Sequence, residues 1–158
     1  MNFSKKNQEL KKNNRFCVSK TLTLILALLL SVTFSNAQET ENGQTITVTI
    51  ENISNNNGNV LLSLHTAETF MKGPGIQNKE SKIVDGKIKI TFENVASGTY
   101  AIMGLHDENE NRRMDFGANG IPKESYGMSN NNMSFGPPQY ETAKFEVNSE
   151  DLEMKIIF

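Results

Sequence analysis

The densest chemistry in this protein lies in the stretch His106-Asp107-Glu108-Asn109-Glu110-Asn111-Arg112-Arg113-Met114-Asp115. Side-chain oxygens recur there at every second residue, at Asp107, Asn109 and Asn111, and return at Asp115. Such spacing suits two arrangements. In the first, the backbone curls around a hard cation, with Asp107, Asn109, Asn111 and Asp115 at positions 1, 3, 5 and 9 of a calcium loop. Position 6 of that template, normally Gly, is Arg112, and position 12, normally Glu, is Ala118, so the bidentate carboxylate has to come from Glu124. In the second, the same Asp and Asn side chains bond nearby backbone N–H groups as a self-satisfied turn, with Arg112 or Arg113 paired to Asp115.

The protein has two histidines, His65 and His106, both at expected strand ends. Together with Asp107 they would supply the three ligands of a catalytic zinc. This defines the alternative function, a small metal-dependent hydrolase. No Ser lies in a nucleophile-elbow sequence. A second candidate surface follows the loop. Tyr126, Asn130, Phe135 and Tyr140 sit among Asn and Pro residues, where aromatic faces and amides could stack on and bond a glycan or a peptide. The competing use of those rings is to plug the end of the core, as an Ω-loop packs on itself.

The elements that position these groups begin after an N-terminal leader. Lys5, Lys6, Lys11, Lys12, Arg15 and Lys20 precede the apolar run Leu22 to Val32, and Ser35-Asn36-Ala37 supplies small residues for cleavage. Residues 1–37 read as a secretory signal, which places the mature protein in the periplasm or outside the cell. Without it, residues 38–158 carry ten basic against seventeen acidic side chains, a net charge of −7. That balance argues against nucleic acid and against a membrane surface as partners. The one cysteine, Cys17, leaves with the leader, so the mature protein has no disulfide and no thiolate metal site.

After a flexible lead-in, residues 38–44, the domain is expected over residues 45–158. Thr45 to Glu51 alternates β-branched residues with period two, which turns Ile46, Val48 and Ile50 inward. Asn57-Gly58-Asn59 predicts a hairpin turn into Val60 to His65. Lys82 to Val84 and Lys87 to Phe92, joined at Asp85-Gly86, predict a second hairpin, with Ile88, Ile90 and Phe92 facing the core. Thr99 to His106 leads into the Asp/Asn loop. Ala143 to Val147 and Leu152 to Ile156 predict a closing hairpin, with Phe145 and Val147 facing in. The class is all-β: a single antiparallel β-sandwich of about seven strands, transthyretin-like or Ig-like. A long Asn/Gly/Pro-rich loop precedes the closing hairpin.

Phe92-x-x-Val95-x-x-Gly98-x-Tyr100 resembles the strand–turn–strand signature of transthyretin-like and carboxypeptidase regulatory-like sandwiches. His106-Asp107-Glu108-Asn109-x-Asn111-x-x-x-Asp115 resembles the hallmark of a secreted bacterial family, domain of unknown function 2141. Gly120-Ile121-Pro122-Lys123-Glu124-x-Tyr126-Gly127-x-Ser129-Asn130, Phe135-Gly136-Pro137-Pro138 and Tyr140-x-x-Ala143-x-Phe145 extend the likeness. The resemblance implies no established activity. In the family pattern Gly commonly stands where this protein has Glu110 and Arg112. The expected function is therefore a secreted, non-catalytic binding or structural module whose loop, residues 106–124, is ordered by calcium.

Overall fold

The computed structural model describes residues 43–132 and 136–158. The expected leader, most of the lead-in and Phe135 lie outside the described residues. Strands dominate what is described, in two sheets that do not close into a barrel. They are β1 (Gln44–Ile50), β2 (Asn59–His65), β3 (Gln77–Ser81), β4 (Ile88–Val95), β5 (Gly98–Asp107), β6 (Tyr126–Met128), β7 (Phe145–Val147) and β8 (Leu152–Lys155). A 3₁₀ turn at Ser129–Asn131 and one short helix, α1 (Tyr140–Ala143), sit between β6 and β7.

One sheet has the order β4-β1-β8, and the other β3-β2-β5-β6, with β7 on the first residues of β5. Alternation along β1 buries Ile46, Val48 and Ile50 completely. Facing positions in β4 bury Ile88, Ile90 and Phe92. Val60, Leu62 and Leu64 of β2 and Ile102 of β5 join the same apolar cluster, so one core draws on both sheets. Phe92 is wholly inaccessible, and burying a ring of that size stabilises by roughly 1.5–3 kcal/mol. Phe145, expected in the core, is only partly buried against it, whereas Val147 is buried.

The facing of the strands is as expected, but several pairings are not. β1 and β2 form no hairpin: β1 pairs with β4 and β8, and β2 with β3 and β5. The segment after β1 crosses between the sheets. It buries Ile53, whose N–H donates to Gly86 O, while Gly86 N–H donates to Asn56 Oδ1. The left-handed Gly58, φ 64°, serves a crossover as well as it would a hairpin. β7 and β8 likewise separate, β7 onto β5 and β8 parallel to β1, so the sheets are not wholly antiparallel. Lys82 to Val84 contributes only a Val84–Lys87 bridge, and the strand there is the earlier, polar β3.

A second, smaller cluster of Phe70, Ala101, Met128 and Ala143 includes the partly buried Tyr140 and Met103. Ala101 and Met103 alternate with the core-facing Ile102, which places this cluster on the opposite face of β5.

Candidate functional site

The Asp/Asn loop leaves the end of β5 and returns at β6. Its root is His106, fully buried, paired in register with Val60. Nε2 of His106 donates to Asn57 O at 2.9 Å, since a carbonyl can only accept. Nδ1 has no hydrogen-bond partner among the described residues and lies 3.9 Å from Glu108 Oε1. Gly58 is required here for a steric reason: a Cβ would come within 1.9 Å of Asp107 O.

Asp107 is almost inaccessible, and its carboxylate closes the first turn of the loop. Oδ1 accepts from Asn111 N–H at 3.1 Å and Oδ2 from Arg112 N–H at 2.7 Å. Asn109 Oδ1 accepts a second bond from Asn111 N–H at 3.1 Å, and Asn111 Oδ1 accepts Arg113 N–H at 2.9 Å. Backbone curled this tightly places Glu110 and Arg112 at φ 61° and 62°, left-handed values that L-residues with long side chains rarely adopt. These are the two positions where the family resemblance leads one to expect Gly.

The amides of Asn109 and Asn111 then converge on one atom. Both Nδ2 groups donate to Asp115 Oδ2, at 2.6 and 3.0 Å. Glu124, buried, spans the base of the loop: Oε1 accepts Glu108 N–H and Oε2 accepts Asp115 N–H, each at 3.0 Å. Beyond it, Lys123 N–H to Asp115 O and Gly117 N–H to Ile121 O form a short ribbon that leaves Phe116 and Ile121 exposed. All five residues expected to hold a cation thus come together, each engaged in hydrogen bonds. Among the described residues no three His, Cys, Asp or Glu side chains form a metal-holding group by themselves.

Neither arginine pairs with Asp115, contrary to expectation. Arg112 Nη2 reaches Glu80 Oε2 at 3.0 Å on β3, and Glu80 Oε1 also accepts Asn59 Nδ2 at 2.6 Å. Lys82 contacts Glu110 at 2.6 Å, and that hydrogen bond, with the ammonium charge, holds the Glu110 carboxyl below its usual range. Glu80 and Lys82 are loop supports that sequence reasoning missed. Strand β3 has no apolar residue to mark it.

The two histidines do not meet. His65 is registered opposite Ala101 and His106 opposite Val60, at the two ends of the β2–β5 ladder. Five register steps at about 3.4 Å each keep them too far apart to share an ion. His65 is instead buried beside Thr69, with Nδ1 and Thr69 Oγ1 3.2 Å apart, and its ring meets Phe70 edge-on at 5.7 Å. Burial lowers its pKa from the ordinary value of 6.5.

The aromatic and amide surface is largely occupied by the fold. Tyr140 Oη donates to Thr99 O at 2.9 Å, and the ring packs edge-on against Phe70 at 5.8 Å. Asn130 Nδ2 donates to the carbonyls of Thr142 and Lys144, which ties the 3₁₀ turn to α1. Tyr126 is half-buried and lines a shallow cavity with Met128, Asn131, Asn132 and Ile157. Tyr140 and Asn130 thus spend these polar groups on bonds within the fold, whereas Tyr126 borders the cavity.

Residues 48–155, most of the described protein and all of the loop, match the model of a family described as an uncharacterized protein conserved in bacteria (DUF2141). Neither the curated proteins nor the solved structures contain a match.

Proposed function

We propose, from the premise that the protein belongs to the DUF2141 family, that it is an exported, non-catalytic β-sandwich module whose Asp/Asn loop is a binding or structural element completed by calcium. The sandwich is supported by the single core drawing on both sheets and by Tyr100, whose Oη donates to Ala96 O at 3.0 Å in the manner of a tyrosine corner. Export is supported by the leader sequence alone. Mass spectrometry of the exported protein should find it beginning at or near Gln38, and an intact N-terminus in the membrane fraction would refute that.

The observation that carries the calcium reading is the convergence of Asn109 and Asn111 on Asp115 Oδ2. Their amide N–H groups stand in for the positive charge that a cation would supply there. Turning the Asn109 amide over would present its oxygen, and Asp107 already accepts the Asn111 N–H that such a turn would release. Turning Asn111 over would release the Arg113 N–H that its oxygen now holds. The ion depends on neutral amide oxygens and has to displace two donors. Its affinity is therefore of order 10⁻⁴–10⁻³ M, as in extracellular calcium modules. A hundredfold excess over the dissociation constant would then stabilise the fold by about 2.7 kcal/mol.

Calorimetric titration of chelator-treated protein with calcium, magnesium and zinc tests the reading. Saturable heat with calcium is expected. A folded protein that gives none at millimolar calcium refutes it. Asp115→Asn separates ligand from scaffold, because Asp115 Oδ2 accepts only side-chain amides. That variant should keep the calcium-free melting temperature and lose the calcium response. The hydrolase alternative loses its basis with the separation of His65 from His106.

A further inference from the structure

We propose that Asn57 is a site of spontaneous deamidation promoted by the fold, and that its conversion disturbs the root of the Asp/Asn loop. The proposal is independent of calcium. Asn57 is exposed on the crossover between the sheets, and its side-chain amide makes no hydrogen bond among the described residues. Its own N–H is held by Asn55 Oδ1 at 2.8 Å, and its carbonyl oxygen accepts the buried His106 Nε2–H at 2.9 Å. The following residue is Gly58, which has no side chain to obstruct ring closure.

The chemistry is intramolecular. The Gly58 backbone N–H gives up its proton, and the resulting anion is shared between that nitrogen and Asn57 O. His106 donates to that oxygen, so the N–H bond is already aimed where negative charge develops. The Gly58 nitrogen then forms a bond to Asn57 Cγ, the bond from Cγ to Nδ2 breaks, and ammonia leaves with the proton. Water opens the cyclic imide at either carbonyl, giving aspartate or isoaspartate. No oxidant or reductant takes part.

The molecule holds its own control. Asn119-Gly120 is the same dipeptide, also in an exposed turn. There Asn119 Oδ1 accepts Ile121 N–H at 3.3 Å, and the nucleophilic Gly120 N–H donates to Gly117 O at 2.9 Å. Both reacting groups are engaged, and no N–H donor to Asn119 O is present among the described residues. The difference in rate therefore lies in the fold. Conversion at position 57 adds a negative charge to the residue whose backbone carbonyl accepts the buried His106 N–H. In the isoaspartate form it also adds a methylene to the backbone that His106 grips.

Folded full-length protein would be incubated in mildly alkaline buffer and digested with trypsin, which places the two asparagines in separate peptides. Amide-to-acid conversion at each is followed by mass spectrometry. Asn57 should convert roughly tenfold faster than Asn119, a fraction of what a fully dry oxyanion donor is worth. The two rates should converge in concentrated denaturant. Equal rates in the folded protein, a faster Asn119, or a ratio that survives denaturation would each overturn the proposal. In the converted protein the backbone amide signals of Asn111 and Arg112 should shift, and their staying unchanged would refute the effect on the loop.

Discussion

Around Phe92 the protein is ordered by apolar contact, and around Asp107 by hydrogen bonds from backbone N–H groups to carboxylates. Both residues are almost wholly buried, yet they are buried for opposite reasons. The Phe92 ring completes a core between strands whose backbone groups are already paired in the β1–β4 ladder. Asp107 sits where the ladder ends, and its two oxygens replace the missing strand as acceptors for Asn111 and Arg112. Removing the ring leaves a cavity, while removing the carboxylate leaves donors without partners. The sheets share an apolar core, and the loop uses side chains that an ion could also use.

The largest expected effect tests the first half of that contrast. Phe92→Ala should cost about 3–5 kcal/mol in denaturant titrations, through lost transfer energy and an unfilled cavity. A loss near zero would mean that the core between the sheets is not packed as described.

Next comes the loop's own acceptor. Asp107→Asn keeps the shape but turns an amide N–H toward the Arg112 N–H. An unsatisfied buried donor costs about 1–3 kcal/mol, so the calcium-free protein should lose roughly that much. If Asp107 were purely an ion ligand, the variant would match the parent without calcium and differ only with it. Melting curves with and without chelator distinguish the two. In Asp115→Asn, where no backbone donor is orphaned by the carboxylate change at Oδ2, the calcium-free loss should be much smaller.

The same contrast explains what could be read from the residues alone. Period-two alternation fixes which side chains face inward, so Ile46, Val48, Ile50, Leu62, Ile88, Ile90, Phe92 and Val147 are legible as core. It says nothing about partners. A left-handed Gly58 suits a hairpin and a sheet-to-sheet crossover equally, and for that reason the residues alone pair β1 with β2 wrongly. β7 and β8 look like a hairpin because a short polar turn joins them. Asp151 Oδ1, which accepts Thr45 N–H at 2.7 Å, instead helps draw β8 alongside β1. Within the site, the Asp/Asn spacing identifies the convergent residues. The roles of Glu80, Lys82 and Asn57 depend on tertiary pairing and leave no local signal.

A smaller effect concerns His65, which links β2 to the Phe70–Tyr140 cluster. Burial lowers its folded pKa below 6.5, so on acidification the unfolded state takes up the proton first. Its contribution to stability is complete above about pH 6.5 and is lost as pH falls from there through the folded pKa. The melting temperature should drop over that window relative to a His65→Gln variant. Parallel pH profiles for the two proteins would remove His65 as the cause.

The smallest effect probes the two strained residues. Glu110 and Arg112 hold left-handed backbone that Gly adopts without strain, at φ 61° and 62°. Strain at a non-Gly residue there is partly offset because Gly loses more backbone freedom on folding. Each charged side chain also makes an exposed ion pair, Glu110 with Lys82 and Arg112 with Glu80, on strand β3 or just beyond it. Exposed pairs contribute little in water, so the opposing effects nearly cancel. The double variant Glu110→Gly, Arg112→Gly should melt close to the parent at low salt. Salt near 1 M shortens the screening length to about 3 Å, and there the glycine variant should become the more stable of the two. A variant that is equally destabilised at both salt concentrations would show that these side chains support the loop by contacts other than charge. The loop would then rely on β3 for packing, as the sheets rely on Phe92, and the contrast between the two regions would narrow.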